Sequence, residues 1–541
     1  MVDDIECYLV KKYHPIVYHP KDTELQDLLL QELEDIFSKN GINIYNYNLQ
    51  RKNMQYKSDK NNSLIQEELN YDCNKLEEEA NILYRQLNND QRNAFHEIVN
   101  SVFNKQPNIF FYHWSWRHRQ NIFMEHNYYI FTSTKKNCTH SSLIRSCITL
   151  LPNGRTAHSR FRIPIDVDEL SMYDIKRGTK LADLIAITDL IIWDEALMTN
   201  KQCFEALDRS LRDILSEKEQ SLQNIPFGGK VVVLGGDPKQ ILPVIQNATK
   251  AQIINASIFR SYLWRHTKKL YLHENMRLKR LHINSSEYKE IQDFNNWILS
   301  IGNGNCQTTT LSENDNDTDC HLVQIPDDLL VKTTGNKIEA LVHATFPDFI
   351  PNYTNPEYVK NRAILATTNE IVDEINDCIL QLLPTVEREY YSADSTSKCT
   401  DTCNDPNILY PIEYLNSLTA NNFPAHKLKL KIGVPIMLLR NLNQSLGLCN
   451  GTRLIVTNLG KNVIEAVIIT GTHIGNKVYI PRINLTTQGS RWPFVLCLRQ
   501  FPIKVCYSMT INKSQGQTLL NVGIYLRKPV IHTWPIIRCS I

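Results

Sequence analysis

Two acidic groups at the ends of apolar runs are the residues in this sequence best placed to do chemistry. Residues 190–198 read LIIWDEALM, an apolar run that closes on Asp194 and Glu195. A run of this kind predicts a buried strand, and adjacent carboxylates at its C-terminal end form the Walker B pattern of nucleotide hydrolysis. Asp194 would hold Mg²⁺, mostly through water. Glu195 would orient and deprotonate the attacking water. The pair also reads as a plain solvated strand end. Residues 231–244, VVVLGGDPKQILPV, repeat the theme. A second buried strand would deliver Gly235, Gly236, Asp237 and Gln240 to the same sheet edge, where open α/β sheets bind their ligands. Gln240 could sense a γ-phosphate or its attacking water there. A tight turn built on Gly and Pro is the alternative.

These groups need a scaffold, and the flanking sequence predicts one. Apolar runs rich in Val, Ile and Leu alternate with helical stretches from about 181 to 244, which indicates a parallel α/β sheet. FEALDRSLRDIL reads as a helix between the two strands. LNNDQRNAFHEIVNSVF, from Leu87, reads as an amphipathic helix capped near Asn88 or Asn89. RAILATTNEIVDEIN, at 362–376, repeats the strand-turn-helix pattern and predicts a second α/β domain. Between about 425 and 490 the pattern becomes all-β, as GVPIMLL, TRLIVTNL, VIEAVIIT and KVYIPRI. That resembles a small barrel inserted in the second α/β domain. The Asn, Asp and Thr-rich stretches 302–321 and 392–407 read as solvated loops. Residues 1–80 are polar and predict a helical or partly disordered leader, with Leu25, Leu28, Leu29 and Leu33 able to share a helix face.

Bulk properties exclude several classes. A chain of 541 residues is too long for one core and predicts roughly three or four domains. The formal charge is only +2, so a nucleic-acid site must be a local groove and not a charged tail. The 14 cysteines are scattered without a repeating frame, which suits a reducing compartment. Cys320, Cys399 and Cys403 could hold zinc, although no proper second pair accompanies them. The opening residues lack the apolar core of a signal peptide. No run approaches the roughly 20 apolar residues of a membrane span. None of the 16 histidines is followed by another two positions on, so the His-x-His metal pair of a DNA-nicking transposon enzyme is absent.

The order of motifs is specific. GRTAHSRF (154–161), LIIWDEALM, FEALDRSLRDIL, PFGGKVVVLGGDPKQILPV, LHENMRL (272–278) and TINKSQGQT (510–518) follow one another. This order resembles that of the PIF/RecD-like superfamily 1B DNA helicases, and looks nearest to the Helitron-encoded branch, from about residue 64 to 530. The resemblance implies two RecA-like P-loop NTPase domains with an SH3-like β-barrel inserted in the second. The implied segments are a leader at 1–80, a first domain at 81–260, a second at 261–424, the barrel at 425–492, and a truncated return to the second domain at 493–541.

The resemblance also implies roles. Gln91 matches the glutamine that reads adenine. Asp194 and Glu195 match the Mg²⁺ ligand and the catalytic base, and Gln240 the γ-phosphate sensor. Asp237 and Gly516 fall in nucleotide-facing motifs. Arg277 matches an arginine finger, a group worth roughly 10³–10⁵ in rate. Ser514, Gln515 and Gly516 match the motif that couples ATP to bound DNA, with Thr510 and Lys513 near the strand's phosphates. His158 and Ser159 match a DNA-contact motif of the first domain, and a packing histidine is the alternative for His158. The implied partners are ATP, single-stranded DNA and duplex junctions, with no membrane. The implied activity is 5′ to 3′ translocation and unwinding in DNA repair, recombination, telomere maintenance or transposition, in the nucleus.

One motif is missing. The family pattern needs Gly-x-Gly-Gly-x-Gly-Lys-(Ser/Thr) after the strand at 110–111, because backbone N–H groups of that loop cradle the phosphates and its Lys pairs them. This chain has no glycine between 112 and 153. Codons for the string from His113, read one base later, can encode Ile-Gly-Pro-Gly-Gly-Thr-Gly-Lys-Thr-Phe-Leu-Trp-Asn-Thr. Trp114 and Trp116 force two of those glycines. From Ile531 the same shift can restore the family's Phe-Thr-His-Gly-Gln-Leu-Tyr-Val-Ala run. The chain therefore reads as a helicase sequence with two frame changes, and its ATPase activity is expected to be weak or absent. The alternatives are a relic that only binds DNA, and a diverged basic-aromatic insert, HWSWRHRQ, able to stack on single strands.

Overall fold

The computed structural model describes Asn62, residues 64–65 and the chain from 73 to 527, apart from 115–137, 143–154, 238–241, 273–285, 311–320, 397–409, 488–491 and single or paired positions elsewhere. The leucines at 25–33 and Cys320, Cys399 and Cys403 lie outside the described residues, as do Gln240, Arg277 and Gly516.

The first sheet has six strands: β1 (Ile109–Trp114), β2 (Cys138–Ser142), β3 (Arg155–Thr156), β4 (Leu190–Asp194), β5 (Val231–Gly236) and β6 (Thr267–Leu272). Their order is β3-β2-β4-β5-β1-β6, and every neighbouring pair is parallel. Continuous apolar runs are needed because both faces are covered. Phe110, Tyr112, Leu190, Ile192, Val231 and Val233 turn to one side and join Ala94, Phe95, Ile98 and Val102. Ile109, Phe111, Ile191, Trp193, Val232 and Leu234 turn to the other and meet Phe204, Leu207 and Leu211. The strand period of 2 thus divides each run between two cores.

Helix α2 (Asn89–Phe103) supplies the first covering layer, after α1 (Cys73–Gln86). The short helix α3 (Ala157–Phe161) follows β3, and α4 (Lys180–Ile187) precedes β4. Helix α5 (Lys201–Ser216) covers the second face. Its buried Cys203, Phe204, Ala206, Leu207, Leu211, Ile214 and Leu215 recur at helical spacing, and Asn200 caps its start by accepting from the Gln202 N–H at 3.0 Å.

The first sheet runs to Leu272, so the boundary expected at 260 falls before its last strand; β6 is held there by its ladder to β1, Ile109 opposite Thr267. The stretch 112–150 contains β2, whose backbone pairs with β3 and β4. Backbone pairing needs no particular side chain, so the polar run Cys138–Ser142 can still fill a strand slot.

A small hairpin of β7 (Thr308–Thr310) and β8 (His321–Val323) follows, inside a stretch expected to be loop. The second α/β unit has α6 (Lys337–Thr345), β9 (Arg362–Ala366), α7 (Asn369–Leu382), β20 (Ser508–Thr510), α8 (Ile511–Ser514) and β21 (Asn521–Tyr525). Its sheet is parallel, in the order β20-β9-β21.

Between α7 and β20 lies the antiparallel part. One sheet joins β16 (Lys477–Pro481), β15 (Val463–Ile468), β14 (Arg453–Leu459), β13 (Pro435–Leu438) and β19 (Ile503–Val505) in that order. The pair β10 (Arg388–Tyr391) and β12 (Lys427–Leu430), and the sheet β11 (Ala393–Thr396), β18 (Leu496–Gln500) and β17 (Ile483–Thr486), complete it. So 388–396 and 496–505 take part as well as 425–492. Residues 393–396, expected as loop, are a strand because Ala393 to Thr396 pair along β18. The antiparallel strands and the second α/β unit share one apolar cluster, from Ile338, Ile364 and Ile375 to Leu430, Ile436, Leu454 and Ile464.

Arg453 is fully buried at this joint. Its guanidinium donates to the carbonyls of Lys360, Val359 and Arg362 at 3.0, 3.1 and 3.2 Å, and to that of Cys506 at 3.4 Å. A planar fork of donors suits several carbonyls at once. Arg453 thereby ties β14 to the segments that lead into β9 and β20.

Candidate nucleotide and DNA sites

The register of the first sheet sets three strand ends side by side. Trp193 and Phe111 both stand opposite Leu234, and His113 stands opposite Gly236. Asp194, Gly235 and Tyr112 therefore lie at one level of the C-terminal edge. The expected carboxylates converge here. Asp194 is 2% exposed and Glu195 1%. The Glu195 N–H donates to Asp194 Oδ1 at 2.8 Å. Asp237, also buried, follows β5 directly.

Glu195 has φ 53° and ψ 41°, a left-handed conformation that a non-glycine residue adopts at a cost. Such strain persists where the surroundings over-determine it, and it clusters at functional sites. The strain turns the chain sharply out of β4 into the turn Ala196–Met198. Gly236 completes the fit. A Cβ there would stand 2.9 Å from Leu197 Cγ, so the turn rests directly on the backbone of β5. Sequence inspection placed Gly236 at this edge but could not assign it that packing role.

Gln91 lies in the first turn of α2, 5% exposed. The link 104–108 joins α2 to β1, so the helix returns across the sheet and its N-terminus points to the edge that carries Asp194. Gln91 also forms a reciprocal cap. Its N–H donates to Asn88 Oδ1 at 2.8 Å, and its Oε1 accepts from the Asn88 N–H at 3.0 Å. The amide oxygen is engaged in the cap, which leaves the amide nitrogen as the group that could face a base.

His158 and Ser159 are both exposed, on α3 at the outer strand β3. The Ser159 N–H donates to Thr156 Oγ1 at 3.1 Å. Exposure of His158 disfavours its reading as a packing residue.

The other DNA-facing expectations gather in the second α/β unit. Thr510 closes β20 beside Ala366 of β9. Ser514 Oγ donates to the Ile511 carbonyl at 2.7 Å, and Gln515 is buried. Thr510 and Lys513 line one recess with Asn369, Met437, Lys504 and Cys506. Lys504 and Asn369 were not anticipated; a lone Lys inside an apolar strand carries no motif signal. Among the described residues no cluster of three or more His, Cys, Asp or Glu could hold a metal ion. A Mg²⁺ that travels with a nucleotide needs only one or two carboxylates beside the phosphates, and Asp194 fits that requirement. Among the described residues no helix is long and apolar enough to cross a membrane.

The PIF1-like helicase family model matches residues 86–312, and the model of the DNA helicase Pif1 2B domain matches 413–459. The ATP-dependent DNA helicase PIF1 of Danio rerio is 25% identical over 350 residues, 62% of this chain and 42% of that protein. The Homo sapiens protein of that name is 28% identical over 165 residues, 30% of this chain and 23% of that protein. The chain thus spans about two fifths of the length of the first of these relatives. Among solved structures, Pif1 helicase from Bacteroides in complex with ADP-AlF3 and ssDNA is similar at a TM-score of 0.55 and 19% identity, over 82% of this chain and 89% of that one. Pif1 helicase from Candida albicans is similar at a TM-score of 0.53 and 19% identity, over 84% and 92%. The α/β units accordingly share the RecA-like fold of those helicases. Motif order, two family models and fold agree, and the chain belongs to the PIF1-like helicase family.

Proposed function

We propose that this chain has the architecture of an ATP-dependent DNA helicase whose strand-binding half is retained and whose nucleotide half is impaired. The observation that carries the reading is the edge of the first sheet. A buried carboxylate pair, with Glu195 held in a left-handed turn, stands beside a strand whose continuation has no glycine before Gly154. The acidic side of a phosphoryl-transfer site is kept while the phosphate cradle is not.

In the working form of this reading, ATP binds between two RecA-like units. Asp194 would hold Mg²⁺, which supplies charge neutralisation at the β- and γ-phosphates. Glu195 takes the proton of the attacking water, Gln240 and Arg277 face the γ-phosphate, and Gln91 donates to the base. His158, Ser159, Thr510, Lys513, Ser514 and Gln515 hold single-stranded DNA by its phosphates, so binding is salt-dependent and largely independent of sequence. Family resemblance supports 5′ to 3′ movement, an SH3-like arrangement of the antiparallel strands, a Helitron-type origin and work on nuclear DNA in repair, recombination, telomere maintenance or transposition. Similar solved structures include Pif1 helicases at forked dsDNA, bound to ssDNA and in complex with ADP-AlF3, which supports single strands, duplex junctions and ATP as partners here.

The test is ATP turnover by the purified chain with and without single-stranded DNA. We expect no DNA-stimulated hydrolysis, and strand binding that does not respond to ATP. Turnover stimulated by single-stranded DNA and abolished by Glu195→Gln would overturn the impairment.

A further inference from the structure

Lys504 is the middle residue of β19, opposite Met437 of β13 and between the buried Ile503 and Val505. The pleat of the strand turns it away from the core. It lines the recess that also holds Thr510 and Lys513, although β19 belongs to the antiparallel sheet and those two residues to the second α/β unit. The Lys504 ammonium meets Asp373 Oδ1 at 2.7 Å, with 24% of the lysine side chain and 55% of the aspartate side chain exposed. Asp373 stands one turn into α7, whose first residue, Asn369, lines the same recess.

Two lysines, Lys504 and Lys513, line the recess. Burial pushes the Cys506 thiol up, while Arg453, Lys513 and Lys504 all pull it the other way. Cys506 lines the recess with Lys504 and Lys513, and its carbonyl accepts from Arg453. Arg453 is committed to backbone carbonyls, whereas Lys504, whose partner Asp373 is half exposed, can turn to a ligand. Asp373 partly offsets Lys504, and the exposed side of that pair is open to exchange for another anion.

We propose that Lys504 is a further phosphate-binding residue for single-stranded DNA, which passes from Thr510 and Lys513 onto the antiparallel sheet, and that Asp373 competes with the strand for it. This rests on the reading of the chain as a strand-binding protein. A surface Lys–Asp pair contributes little to stability, so exchanging Asp373 for a phosphodiester costs the fold little. One strand bound this way would touch both parts that Arg453 joins.

The experiment measures binding of a fluorescent oligo-dT to the full chain by anisotropy, across a salt series. Lys504→Gln is expected to weaken binding severalfold and to reduce the slope of log K against log salt by about 0.7, the loss of one single-strand phosphate contact. Lys504→Arg is expected to restore both. Asp373→Asn is expected to tighten binding, an outcome that a merely structural ion pair would not produce. Unfolding midpoints of all three variants are expected to match the parent. Unchanged affinity and slope in Lys504→Gln, with the parent binding, would overturn the role of Lys504 alone. No binding by the parent would overturn this role together with the reading beneath it.

Discussion

Glu195 and Gly236 form one device built from two residues. The strained turn after Asp194 holds its shape because Leu197 lies against a residue with no side chain. Leu197 Cγ is a branch point and cannot simply swing away. Gly236→Ala should therefore cost about 1–3 kcal/mol, the range for overpacking a filled core. Leu197→Ala alone opens a cavity and should cost about 2–5 kcal/mol. In the double variant the two changes offset each other, so the summed cost should exceed the measured one. Urea melts of the four proteins in a double-mutant cycle check this, and additive costs would mean that the turn does not rest on Gly236.

At the scale of elements, caps and buried polar knots fix where helices begin and which turns they hold. Helix α2 starts at a reciprocal cap between Asn88 and Gln91. Asn88→Ala should cost about 1 kcal/mol, read as a lowered unfolding midpoint, and Asn88→Asp should recover most of it. Helix α5 carries a fully buried Asp208. Its carboxylate accepts from Arg212 at 2.8 and 3.0 Å, from the Tyr262 hydroxyl and from the Phe227 N–H. It thereby pins the left-handed Phe227 turn just before β5. Asp208→Ala leaves these donors without their acceptor and should cost about 3–5 kcal/mol. A loss below about 1 kcal/mol in chemical denaturation would mean that solvent takes the carboxylate's place.

For the whole molecule, the question is whether one loop separates this chain from a nucleotide-driven machine. Among the described residues of the first sheet's edge, β1, β4 and β5 align and Asp194, Glu195 and Asp237 are buried. Replacing residues 113–126 with IGPGGTGKTFLWNT should restore Mg²⁺-ATP binding. A ligand at a hundredfold excess over its Kd stabilises a protein by about 2.7 kcal/mol. The repaired chain should therefore melt several degrees higher with Mg²⁺-ATP, and the parent should not shift. An equal shift in both proteins would show that the parent already holds nucleotide.

Read by itself, the sequence determined the repeating physics. Apolar runs of Val, Ile and Leu dictated β4, β5 and β9, helical spacing dictated α2 and α5, and a carboxylate pair at a strand end marked the place for which hydrolytic chemistry is proposed. These are local properties of period and residue type. Tertiary structure alone decided the rest. Residues 393–396 and β6 became strands because partners offered them ladders, and no local pattern names the partner. Glu195 took a left-handed turn because Leu197 packs on Gly236. Arg453 and Lys504 acquired roles only when distant segments closed around them. A side chain's chemistry is written in its type, but its neighbours are set by long-range packing.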